Sequence, residues 1–280
     1  MIDGEIEYEG NFPNEFSFES YGVTVDIKCS GSELLHDLRS LLESTMLGRI
    51  NPVEIGKNKA DLEFKFAIDK NNLFFCYENG KLRSEPASYT GSLNFYDSYL
   101  RIKIAEYAPK DVFVHAGVAA WNGKAIIIPG SSYSGKTTLI AELVKNGAEY
   151  FSDEYAIFDE EGFVHPFPRP LQIREHGRYD QTQVSVEQLG GKASDRKLPV
   201  GSVVITKFEP DAVWKPERIS TGEAVVEMVP HTIAIRRNTN FSLKVLKTVA
   251  ERAIIIRGSR NEAKDFAITL INILNSNNLD

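Results

Sequence analysis

Along the first hundred residues the chain switches between two hydrophobic periods. Val23, Val25, Ile27 and Cys29 alternate with Thr24, Asp26 and Lys28, a period of two that predicts a half-buried strand. Ser32 then offers an N-cap to a helix whose apolar stripe is Leu34, Leu35, Leu38, Leu41 and Leu42. Alternation returns at Leu62, Phe64, Phe66 and Ile68, and Asn79-Gly80 marks a tight turn after the apolar run Leu73–Tyr77. A helix is expected from Ser92 to Tyr107, stopped by Pro109.

Beyond residue 110 strands alternate with helices. Residues 112–120 and 125–129 read as buried strands joined by the hairpin turn Asn122-Gly123. Thr137 to Asn146 reads as a helix with Leu139, Ile140, Leu143 and Val144 on one face and Gly147 as its stop. A short strand, Tyr150–Ser152, leads into Asp153-Glu154, and 155–167 read as a hairpin around Glu160-Glu161-Gly162. Ser220 with Glu223 fits a capping box. Residues 240–252 and 261–274 read as helices flanking a strand at Ile254–Ile256, and no internal repeat is visible. The fold class expected is α/β, α+β overall, with an N-terminal α+β module over 1–108 and a mixed-sheet domain over 109–280. The absence of a Gly/Ser-rich or Pro-rich linker predicts modules that pack together.

Composition changes this picture little. At 280 residues, 42% hydrophobic and 25% charged, the chain can bury a core without disulfides. The sum of 32 basic and 39 acidic residues is −7, which argues against a dedicated nucleic-acid binder. Acidic residues crowd the first 43 positions and read as a solvated face. Cys29 and Cys76 lie in apolar alternating stretches and read as buried reduced thiols. The acidic N-terminus lacks the pattern of a signal peptide, and the longest apolar stretch, 112–121, is too short to span a bilayer. The expectation is a cytoplasmic soluble protein with no membrane and no nucleic-acid partner.

Chemistry enters at residues 130–137, which read GSSYSGKT. This is G-x-x-x-x-G-K-[ST] in full, the phosphate loop known as Walker A, between an apolar strand and an amphipathic helix as that motif requires. Gly130 and Gly135 are expected to permit backbone angles that turn N–H groups toward phosphate oxygens. The helix adds the positive end of its dipole. Lys136 would place an ammonium near the β- and γ-phosphates of a nucleotide, and the Thr137 hydroxyl can ligate Mg²⁺. Gly130, Ser131, Ser132, Tyr133, Ser134, Gly135, Lys136, Thr137 and Thr138 are therefore the candidate nucleotide-binding set. Asp153-Glu154, at the end of the next strand, suit a metal-side carboxylate and a proton acceptor.

Other candidates are weaker by pattern. His115 sits inside an apolar strand, where a core role is the commoner one. Arg174 reads as an ion-pair partner. Lys192, Arg196 and Lys197 occupy a polar loop that could close over phosphates, although a solvated loop is the favoured reading. Arg236, Arg237, Lys244, Lys247, Arg252, Arg257 and Arg260 are spread over several elements and read as surface.

Residues 114–154 resemble the catalytic domain of HPr kinase/phosphorylase and its bacterial relatives. The resemblance rests on VHAGV at 114–118, the NGK turn and apolar strand, GSSYSGKTT, and LVKNGAEYFSDE at 143–154, and it fades into PRPLQIRE at 168–175. It implies a mixed-sheet phosphate-loop fold, also similar to phosphoenolpyruvate carboxykinase. It implies that Asp153 acts as base toward an acceptor hydroxyl, that Glu154 lies near the metal with Thr137, that His115 stands close to the acid, and that Arg174 matches an arginine of the later segment. Two positions depart from the family pattern: Gln172 stands where it has a glutamate, and Glu154 where it has a second aspartate. Members often assemble into rings, which keeps a homo-oligomer open.

The function expected is an ATP- and Mg²⁺-dependent kinase that transfers the γ-phosphoryl group to a hydroxyl of a protein, peptide or small molecule. The alternative is a catalytically weak ATP-binding regulatory or assembly protein, which Gln172 favours and the intact Lys136, Thr137 and Asp153 disfavour. A mechanical phosphate-loop NTPase is disfavoured by the lack of a downstream apolar strand ending in aspartate.

Overall fold

A computed structural model describes residues 8–56, 59–83, 87–131, 134–174 and 181–276. The chain divides into two compact units between Lys110 and Asp111, each mixed in helix and strand. No helix among the described residues is long and apolar enough to cross a membrane.

The first unit is a seven-stranded sheet with two helices. Strands β1 (Asn14–Ser20) and β2 (Val23–Cys29) form a hairpin, α1 (Ser32–Thr45) follows, and the two-residue β3 (Asn51–Pro52) pairs with β1. Strand β4 (Leu62–Ile68) runs parallel to β2, an arrangement made available by the crossover through α1. β5 (Leu73–Glu78) turns through Asn79-Gly80, both at positive φ, into β6 (Lys81–Leu82), as the dipeptide predicts. The short β7 (Ala87–Ser88) pairs with β5, and α2 (Tyr89–Tyr107) closes the unit. Its core is aromatic: Phe18, Phe64, Phe66, Phe74, Phe75 and Tyr96 are buried. Cys29 and Cys76 are free and buried, and burial pushes the Cys29 thiol up to about 12.

The second unit carries an eight-stranded mixed sheet. β8 (Val112–Trp121) and β9 (Lys124–Pro129) form the hairpin announced by Asn122-Gly123, with Trp121 opposite Lys124. Helix α3 (Lys136–Lys145) buries Leu139, Ile140, Leu143 and Val144, the expected face. β10 (Glu149–Ser152), β11 (Tyr155–Phe158) and β12 (Phe163–His165) then return antiparallel across β8 and one another. A separate hairpin pairs β13 (Leu171–Arg174) with β14 (Gln181–Val184). The longest strand of this unit, β15 (Leu198–Phe208), is one that the sequence reading does not anticipate. Pro199 and Gly201 near its start resemble a loop, yet the strand runs parallel to β9 on one side and to β17 (Ile254–Arg260) on the other. The edge strand β16 (Glu217–Arg218) pairs antiparallel with β17.

Helices α4 (Thr221–Met228) and α5 (Thr239–Arg252) share one apolar cluster with β8, while α3 and α6 (Ala263–Ser276) share a second. The capping box at Ser220 and Glu223 is present in full. α3 can lie low on the sheet because β8 has a glycine beneath it. A Cβ added at Gly117 would fall 2.7 Å from Ile140 Cγ1 and 3.5 Å from Lys136 Cβ. Gly117→Ala is therefore expected to cost about 1–3 kcal/mol through overpacking. Ile140→Ala removes the obstructing atoms at its own cavity cost of about 2–5 kcal/mol, so the double variant is expected to lose less than the sum of the singles. Urea denaturation of all three checks this, and strict additivity would show that the helix does not rest on Gly117.

Candidate functional site around Lys136

The turn between β9 and α3 is shaped by local constraints at each end. Gly135 caps α3 at φ 81°, a left-handed conformation that favours glycine. Gly130 differs from expectation: it is not at positive φ, and a Cβ there would meet Ser134 Oγ at 2.8 Å, a contact relieved by rotation of that side chain. The loop turns on itself through the Ser134 amide, which donates to Ser131 O at 3.3 Å. The first intrahelical bond runs from the Leu139 amide to Gly135 O at 3.1 Å. The amides of Lys136, Thr137 and Thr138 thus have no helical partner, and no side chain among the described residues caps this end. Ser134 Oγ is buried without a partner. Ser132 and Tyr133, both in the sequence-predicted set, lie outside the described residues.

Lys136 is buried at 6% exposure, and its ammonium donates to Gly130 O at 2.9 Å and to Ser131 O at 2.7 Å. Burial holds its pKa down to about 8, with the charge of Asp153 opposing the shift. His115 joins the site through the backbone and through charge. Its carbonyl accepts from the Gly130 amide at 3.3 Å, and it pairs with Tyr155 across β8 and β11. Burial, reinforced by the positive charge of Lys136, pushes its imidazole down to about 4, so it is neutral at pH 7.

The acid pair is shaped by the residue before it. Ser152 Oγ accepts from the amides of Glu154 at 3.1 Å and Tyr155 at 3.0 Å, a local turn that directs the two carboxylates to different partners. The Thr137 hydroxyl is near enough to Asp153 to lower its proton affinity slightly. The Gln172 main-chain amide lies 3.4 Å from Asp153 Oδ2, and the Tyr150 hydroxyl 3.3 Å from its Oδ1. Tyr150 has one proton, and its nearer acceptor is Arg169 O at 2.7 Å. Burial raises the Asp153 carboxyl to about 6 against the lowering effect of these donors, with the Glu154 charge adding to the rise. Glu154, expected on the metal side, receives Arg169 Nη1 at 2.6 Å.

The structure thus brings Lys136, Thr137, Asp153, Glu154 and His115 into one neighbourhood. Arg174 lies on β13 opposite Gln181, and its side chain is outside the described residues. The 192–197 loop is tied to β10 by the backbone, with Tyr150 N donating to Lys192 O and Ser194 N to Tyr150 O, both at 2.9 Å. Its Lys197 pairs with Asp159 at 2.8 Å. No cluster of three or more His, Cys, Asp or Glu side chains that could hold a metal ion occurs among the described residues.

Three contributors escape the sequence reading. Arg169 is one. His231 is another, set beside the site by the isolated bridge between Val114 and Thr232, with its pKa lowered by burial and by Lys136. The third, Arg260, corrects the surface assignment. It is 3% exposed, and its Nη2 reaches Ser134 O at 3.4 Å and Gly135 O at 3.3 Å. Its position at the end of an apolar strand two residues before a helix is the only local signal. A scan against protein-family models and a search of curated proteins match nothing to this chain.

The Asp153 carboxyl supplies a stability prediction with a definite sign. Its pKa is raised on folding from the unfolded value of about 3.9 to about 6, so the native state holds its proton longer and wild-type stability falls as pH rises between those values. Asp153→Asn lacks this loss. It is expected to match wild type near pH 4 and to exceed it by roughly 1–3 kcal/mol above pH 7. Denaturant titrations at the two pH values check this, and an Asn variant less stable than wild type at high pH would refute it.

Proposed function

We propose that the second unit is an ATP- and Mg²⁺-dependent kinase similar to HPr kinase, transferring the γ-phosphoryl group to a hydroxyl of a protein, peptide or small molecule. The observation that carries this reading is the joint placement of a buried ammonium, three helix-end amides without a helical partner and the Asp153 carboxyl, whose proton affinity the Thr137 hydroxyl lowers. Lys136, enclosed by two loop carbonyls, sits where a polyphosphate would exchange those carbonyls for its own oxygens. The orphaned Ser134 hydroxyl is a further donor for such a ligand. The residues therefore fit a nucleotide's phosphates. For Mg²⁺ the oxygen donors at hand are the Thr137 hydroxyl and the Asp153–Glu154 carboxylates, and a bound ion would supply charge neutralisation on the phosphates.

In this reading Asp153 accepts the proton of the attacking hydroxyl. A carboxyl raised to about 6 is ionised at neutral pH yet is a stronger base than an ordinary aspartate. Lys136 stabilises charge on the transferred group, and neutral His115 lines the site without adding a competing cation.

The second reading, an ATP-binding regulatory or assembly protein, draws on one contact. Glu154 is committed to Arg169, and the side chain of Gln172 brings no second acid. Incubation with γ-labelled ATP, Mg²⁺ and serine- or threonine-containing peptides separates the two. Transfer that Lys136→Ala and Asp153→Asn each reduce by about a hundredfold or more supports the kinase. ATP binding with neither hydrolysis nor transfer supports the second reading. For an active protein, kcat/KM is expected to rise through about pH 6 as Asp153 ionises and to fall above about pH 8 as Lys136 loses its proton. A profile flat from pH 5 to 9 would exclude both assignments.

A further inference from the structure

We propose that Arg260 is a positioning residue that presets the phosphate loop by binding the outer side of its backbone. The inference rests on the nucleotide reading for its purpose, although the contact itself is independent of it. Arg260 Nη2 donates to the carbonyls of Ser134 and Gly135. Those oxygens belong to the peptide units whose N–H groups are those of Gly135 and Lys136. In a planar trans peptide the C=O and N–H point in opposite directions. A cation held on the oxygen side therefore turns both N–H groups away from itself and polarises them toward an anion on the other side.

The energetics of Arg260 itself favour this over a purely structural role. A buried guanidinium is ordinarily paired with a carboxylate. Arg260 has its Nε without a partner, Nη1 on Asn261 O at 3.0 Å, and two long bonds to neutral carbonyls. Glu262 acts on it through charge at longer range. Buried positive charge is left uncompensated at the loop, and a polyanion on the far side of the same peptides would offset it.

The surrounding residues hold the guanidinium there. Phe208 and Arg260 are register partners at the ends of parallel β15 and β17, and the guanidinium carbon lies 5.6 Å from the Phe208 ring centroid. These strand ends lie on the same edge of the parallel set as the loop that follows β9, the edge where open α/β sheets bind ligands. Gly135 completes the fit. A Cβ there would lie 2.6 Å from Nη2, so this glycine is required for the arginine's approach as well as for its φ of 81°.

The test uses the full chain and two probes, inorganic pyrophosphate with Mg²⁺ and ATP with Mg²⁺. Arg260→Met keeps the apolar length and removes the charge, and Arg260→Lys restores a single-pronged cation. In unliganded protein the amide proton resonances of Gly135 and Lys136 are expected to move upfield in Arg260→Met and partly back in Arg260→Lys, with the amide of Val144 unmoved. Affinity for both probes is expected to fall about tenfold in Arg260→Met and less in Arg260→Lys, while the melting temperature without ligand stays level or rises.

Unchanged Gly135 and Lys136 resonances, or wild-type pyrophosphate affinity in Arg260→Met, would overturn the proposal. So would a general loss of stability with resonances displaced throughout the unit, which would mark a structural role. If wild type binds neither probe, the nucleotide reading falls, and the unliganded resonances still decide whether Arg260 polarises the loop.

Discussion

A single buried ammonium organises the second unit. Lys136 is withdrawn from water at the first turn of α3 and closed onto the carbonyls of Gly130 and Ser131. A charge in that position is tolerable only if backbone dipoles replace its hydration, and that demand shapes what surrounds it. The loop must fold tightly enough to offer two carbonyls, which brings Ser134 Oγ to 2.8 Å from where a Cβ at Gly130 would stand. The helix must lie low on β8, which leaves no room for a Cβ at Gly117. The carboxylate of Asp153 opposes the loss of the lysine's proton, and burial, reinforced by the lysine, keeps His115 neutral. These groups act as one electrostatic unit, since changing the charge of one alters the proton affinity of the others.

The acid side of the site is assembled by convergence. Asp153 meets Thr137 from α3, Gln172 from β13 and Tyr150 from β10. Its neighbour Glu154 faces Arg169. The Ser152 turn causes this divergence by holding two successive amides on one hydroxyl. Adjacent acids in sequence thus acquire different environments, one hydrogen-bonded to the Gln172 main chain and one ion-paired with Arg169.

Much of the fold is legible in local pattern. The turns Asn79-Gly80 and Asn122-Gly123, the apolar face of α3 and the capping box of α4 follow from chemistry within a few residues. β1 carried a usable signal in Phe16 and Phe18 alternating with polar neighbours, whereas β15 did not, because Pro199 and Gly201 mimic a loop and its strand character comes from parallel partners β9 and β17. The site divides in the same way. Gly130, Ser131, Gly135, Lys136 and Thr137 announce themselves by spacing, while His231 is brought in only by the Val114–Thr232 bridge.

What the chain determined unaided was the contiguous part: a phosphate-loop motif between an apolar strand and an amphipathic helix, and a pair of acids after the next strand. Tertiary structure alone decided which charges are buried and what faces them. Arg260 looks like any surface arginine until β17 aligns beside β15 and carries it to a carbonyl 126 residues away. Hydrogen-bond periodicity and turn chemistry act over a few residues and can be read along the chain. Burial and Coulombic pairing depend on distances in space, which the order of residues does not contain.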